Sequence, residues 1–101
     1  MFNIFKSKKN DGCGCNPHDE VSSGAVLLDV RTESEFASGH LPGAVNIPLA
    51  LLKERVTGLI WRDKPVVVYC RSGGRSARAA EVMRNRGYES ICDLGAMGNW
   101  R

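Results

Sequence analysis

Apolar positions follow two rhythms along this chain. Ala25-Val26-Leu27-Leu28-Asp29-Val30 and Val66-Val67-Val68-Tyr69 are short, nearly continuous apolar runs, the mark of strands buried on both faces of a parallel sheet. Elsewhere apolar residues recur at helical spacing. Leu49, Leu52, Val56, Leu59 and Ile60 enclose Lys53, Glu54 and Arg55, which predicts an amphipathic helix with that apolar stripe toward the sheet. Ala79, Ala80, Val82 and Met83 play the same part in a helix predicted from Ser76 to Arg86, with Gly87 as its left-handed stop.

The polar punctuation orders these pieces. Thr32-Glu33-Ser34-Glu35 has the form of a capping box and opens a short helix that Gly39 closes, with Phe36 as its expected core anchor. Leu41-Pro42-Gly43-Ala44 reads as a turn, Val45-Asn46-Ile47 as a short strand ending at Pro48, and Ser90 to Leu94 as a last strand. Strands that alternate with helices imply right-handed crossovers, and so a small α/β domain with a mostly parallel central sheet flanked by helices. Ligand sites in such sheets lie at the C-terminal ends of the strands. Residues 1–17 are polar and without periodicity and read as a flexible N-terminal tail, leaving 18–101 as one domain.

Composition narrows the function classes. A net charge of +3, with basic and acidic residues interspersed, gives no nucleic-acid footprint. Lys6, Lys8 and Lys9 behind Met1-Phe2-Asn3-Ile4-Phe5 read as a solvated chain end rather than a membrane anchor. No apolar run is long enough for a signal-peptide core or a membrane span, so the expected location is cytoplasmic. There the four cysteines are not expected to form a disulfide scaffold, and Cys70 at least should be free.

Cys70-Arg71-Ser72-Gly73-Gly74-Arg75 joins the second apolar run to the helix that follows. In such a loop successive backbone N–H groups converge on one point, and the helix dipole adds positive potential. Both effects favour a thiolate, as do Arg71 and Arg75, so Cys70 is the candidate nucleophile.

Several segments together, in this order, resemble the rhodanese-like sulfurtransferases, specifically the small single-domain kind. They are Asp29-Val30-Arg31, Glu35-Phe36, Gly39-His40-Leu41-Pro42-Gly43-Ala44, Asn46-Ile47-Pro48 and Tyr69-Cys70-Arg71-Ser72-Gly73-Gly74-Arg75-Ser76. The resemblance implies that Cys70 takes up sulfane sulfur and that Arg71, Ser72, Gly73, Gly74 and Arg75 form the anion-binding cradle. Sulfur would pass from thiosulfate or a related small anionic donor to cyanide or a thiol acceptor, with a sulfur-accepting protein as a further partner. No metal or organic cofactor is called for.

Other residues read as structural. Asp29 is expected to accept hydrogen bonds from backbone or Arg31, Glu35 and Arg31 to form an ion pair, and His40 to be a hydrogen-bonded turn residue. Cys92 reads as core, and Trp61 and Trp100 as packing residues. Cys13-Gly14-Cys15, with Asp11 and His18 nearby, could hold a soft metal or relay sulfur, although the spacing is not the C-x-x-C of zinc sites. Two rival functions share Cys70. A cysteine phosphatase or arsenate reductase needs C-x5-R, but Ser76 stands where that arginine would be. A non-catalytic persulfide carrier would need the same cradle.

Overall fold

The computed structural model describes residues 16–100. Helix α1 (Pro17–Ser22) leads into strand β1 (Val26–Asp29), followed by α2 (Glu33–Ala37), β2 (Val45–Asn46), α3 (Leu49–Leu59), β3 (Val66–Cys70), α4 (Gly74–Asn85) and β4 (Ile91–Ala96). A 3-10 turn, Met97–Asn99, closes the described chain. The four strands form one sheet in the order β2-β1-β3-β4, and every neighbouring pair is parallel. This is the α/β architecture expected from the alternation of the two apolar rhythms.

All five residues of β3 are buried, because the strand is central and covered on both faces. Its side chains divide by the two-residue period of a strand. Val66, Val68 and Cys70 join Leu28, Leu52, Val56, Ala79 and Met83 beneath α3 and α4. Val67 and Tyr69 face the other way, with Leu27, Leu41 and Cys92, and Val21 of α1 and Trp100 pack on that side. The active end of the sheet is therefore supported by two independent clusters.

Several local expectations need correction. Residues 17–22 are helical: Pro17 occupies the first turn and the Asn16 side chain accepts the Asp19 N–H at 3.2 Å. Only Val21 of this helix packs on a core cluster, so no apolar period marks it. Helix α4 begins at Gly74 rather than Ser76, and β4 runs on to Ala96 through a register shift in its pairing with β3. Phe36 is only half-buried, because α2 carries no buried residue, and its ring stacks on His40 with centroids 3.7 Å apart. Leu59 is 64% exposed and Trp61 77%. Ile60, one helical repeat beyond Val56, takes the inward position at the end of α3 and leaves Leu59 on the flank.

Candidate active site

Cys70 is the last residue of β3 and lies at the C-terminal edge of the sheet. The chain then reverses within three residues to start α4. Gly73 makes the reversal with φ of +111°, a left-handed conformation that residues with a Cβ rarely adopt. That turn aims the Gly73 N–H at Cys70 Sγ, 2.9 Å away. Gly74 has no positive φ, and a Cβ there would meet nothing within 4 Å. Of the two glycines only Gly73 is needed for its backbone freedom. Ser76 is fully buried and its hydroxyl donates to the Gly73 carbonyl at 3.0 Å, tying the loop to the first turn of α4.

Two opposing effects set the state of the thiol. Burial pushes its pKa up, while N–H groups of Ser76, Gly73 and Ser72, with the Ser76 side chain, pull it further down, so the net shift is below the ordinary thiol value. The Ser76 hydroxyl has one proton and gives it to the Gly73 carbonyl, so the backbone does most of the holding. Sγ sits in a nest of amides at a helix N-terminus, an arrangement that favours the thiolate over the thiol. A thiol whose pKa is lowered in this way is a better nucleophile toward sulfur.

Around the loop Asp29, Arg31, Glu35 and Arg75 are paired. Asp29 is completely buried and accepts from the Arg31 backbone N–H at 2.8 Å, from Arg31 Nη2 at 2.7 Å, and from the Tyr69 hydroxyl at 2.7 Å. That hydroxyl in turn accepts the Leu41 N–H at 3.1 Å, and Arg31 Nη2 also donates to the Gly39 carbonyl at 2.7 Å. Burial and the Asp29 bond push the Tyr69 phenol up to about 12, so it remains a donor at any working pH. The structural reading of Asp29 is met: one carboxylate holds the 39–41 turn against β3.

The expected Glu35–Arg31 pair does not form. Arg31 is committed to Asp29, and Glu35 instead receives Arg75 Nη1 at 2.7 Å and Nη2 at 3.0 Å. Glu35 also completes the capping box with Thr32. The bond from Arg75, with the Thr32 N–H second, holds the Glu35 carboxyl down at about 2. Arg71 is exposed and makes no ion pair among the described residues. It lines a cavity of about 300 Å³ together with Arg31, Glu35, Ser38 and Met97. His40 hydrogen-bonds the Phe36 carbonyl through Nδ1 at 2.8 Å, consistent with a turn residue.

The structure thus brings Cys70, Ser72, Gly73 and Ser76 together, sets Arg71 at the rim, and turns Arg75 toward α2. A family model, the rhodanese-like domain, matches residues 18–101. The chain belongs to the rhodanese-like family. Similar proteins include the uncharacterized protein YqhL of Bacillus subtilis, 47% identical over 77 residues, which cover 75% of this chain and 60% of YqhL. Thiosulfate sulfurtransferase PspE of Escherichia coli is 35% identical over 71 residues, 69% of this chain and 68% of PspE. Among solved structures, an E. coli rhodanese with anions superposes with a TM-score of 0.68 at 33% identity, covering 74% of this chain and 89% of that one. This chain therefore spans well under the full length of YqhL, 60% of it.

Ser76 and Tyr69 also belong to the site or its support, beyond the residues expected from the sequence. A tyrosine at the end of a fully apolar strand was the available signal, because a buried phenol must find hydrogen-bond partners. Cys92 is buried, 3% exposed, as a core residue should be, but it is disulfide-bonded, so among the described residues the free cysteine is Cys70. Trp100 packs as expected, against the second cluster and His18, 3.8 Å between ring centroids. Cys13 and Cys15 lie outside the described residues. Among those described, no three His, Cys, Asp or Glu side chains gather to hold a metal ion, and no helix is long and apolar enough to cross a membrane.

Proposed function

We propose that this protein is a sulfurtransferase that carries sulfane sulfur as a persulfide on Cys70, taking it from thiosulfate or a related small anionic donor. The observation that carries the reading is the Gly73 N–H, 2.9 Å from Cys70 Sγ in a loop whose amides lower the thiol pKa. Cys70 thiolate attacks the outer sulfur of the donor. A bond forms between Sγ and that sulfur, the donor S–S bond breaks, and its electron pair leaves with sulfite. Cyanide or a thiolate acceptor then attacks the outer sulfur of the persulfide, and the departing electron pair returns to Sγ. This is double-displacement covalent catalysis in which the loop amides steady the anionic sulfur in both halves.

No residue is required as a general base, because the loop amides lower the thiol pKa themselves. Initial velocities with thiosulfate and cyanide test the proposal. Parallel double-reciprocal lines, abolished by Cys70→Ser, are expected. Intersecting lines, or turnover that survives Cys70→Ser, would overturn it.

A further inference from the structure

The Glu35–Arg75 pair has a consequence for what the Cys70 loop admits. Arg75 is the second residue of α4, next to the loop, and the charge of Cys70 acts on its guanidinium. A free arginine there would present a planar fork of N–H donors to any anion entering the cradle. Yet both terminal nitrogens are taken by one carboxylate, at 2.7 and 3.0 Å. That carboxylate is fixed from its own side by the capping box, through the Thr32 N–H at 2.9 Å, so it is not free to swing away. Glu35 also lines the cavity of about 300 Å³ that Arg71 lines.

We propose that Glu35 is a specificity-determining positioning residue: by clamping Arg75 it withholds a cation from the Cys70 loop and lowers the site's affinity for doubly charged anions. The other charged groups around the thiol do not compensate. At the end of β1 and in the segment after it, Asp29 and Arg31 neutralise each other. From β4, Asp93 is turned to the Gly95 N–H at 3.0 Å. Arg71, at the rim, is left as the accessible cation. The loop amides can then hold a single sulfur anion, while dianions such as sulfate, phosphate and free thiosulfate are held loosely. Donors or acceptors whose charge is smaller or spread out, such as a persulfide or thiol on a larger molecule, lose less.

This inference deepens the sulfurtransferase reading, but its test is independent of turnover. The rate of Cys70 alkylation by iodoacetamide would be followed against pH and against added sulfate in wild type, Glu35→Gln, Arg75→Lys and the Glu35→Gln/Arg75→Gln double variant. Glutamine keeps the capping box, so α2 should remain formed. In Glu35→Gln the half-protecting sulfate concentration should fall about threefold or more, and the thiol should titrate at lower pH, as expected for one charge released beside the loop. Arg75→Lys should tighten sulfate in the same direction, since a lysine cannot make both parallel bonds to Glu35. The double variant should lose the gain. Unchanged or weaker sulfate protection in both single variants would overturn the proposal, as would a gain that persists in the double variant. If thiosulfate is not turned over by any of them, the sulfurtransferase reading fails while these alkylation results still decide the role of Glu35.

Discussion

Replacing Tyr69 with phenylalanine removes a single oxygen from the middle of the site's support. The hydroxyl is fully buried, donates to Asp29 Oδ2 at 2.7 Å and accepts the Leu41 N–H at 3.1 Å. Its loss removes a hydrogen bond to a charged acceptor, worth about 1.5–3 kcal/mol, and leaves the Leu41 N–H buried without a partner, at about 1–3 kcal/mol. Asp29 keeps Arg31, so the carboxylate is not left unpaired. The two losses share one oxygen and are not fully additive, and a destabilisation of about 3 kcal/mol is expected. For a domain of this size that lowers Tm by roughly 12–24 °C. Thermal unfolding followed by circular dichroism, with urea titration to check that the slope is unchanged, would measure it. Cys70 Sγ belongs to the opposite face of β3, so the pH at which it alkylates should stay where it is in wild type. A destabilisation below about 1 kcal/mol would refute the network as the element that holds the 39–41 turn to β3.

Three further outcomes follow from the same geometry. Gly73→Ala should destabilise by about 1–2 kcal/mol, the cost of a left-handed residue with a Cβ, and raise the pH at which Cys70 alkylates, because the N–H aimed at Sγ moves; an unshifted alkylation profile would count against the amide nest. Glu35 is held at about 2 against an ordinary 4.5, so its contribution to stability is full above the ordinary value and lost as pH falls through the range down to about 2; urea midpoints of wild type and Glu35→Gln should converge over that interval and not above it. An aryl phosphate should be hydrolysed negligibly, since Ser76 stands where the C-x5-R pattern has its arginine and is turned to the Gly73 carbonyl, and Arg75 is taken by Glu35; Cys70-dependent phosphate release would show otherwise.

The sheet was legible because its strands announce themselves. Val66–Tyr69 is apolar at every position, and in the structure it is central and buried throughout. Helix α1 was not legible: its boundaries rest on Asn16 and Pro17, and its contact with the domain rests on Val21 and the stacking of His18 on Trp100. Nothing periodic records such contacts in a six-residue helix. At the site, the nucleophile and the turn at Gly73 could be read locally, since a loop and a helix start are encoded within a few residues. The charge pairing could not. Arg31 had two acidic candidates close in sequence, and which of them it meets depends on Arg75 arriving from another element forty residues away to take Glu35. Leu59 shows a similar limit: the helical period admits it to the apolar stripe, but α3 ends there and Ile60 fills the inward place.

Sulfur transfer by this protein requires that Cys70 carry the sulfur. Intact-mass analysis of the reduced protein after incubation with thiosulfate and removal of excess donor tests this directly, with Cys70→Ser treated in parallel. The expected result is a gain of one sulfur atom per chain in wild type, discharged by cyanide with release of thiocyanate, and no gain in the variant. Wild-type protein that remains at its unmodified mass, or an added sulfur that persists in Cys70→Ser, would contradict the account.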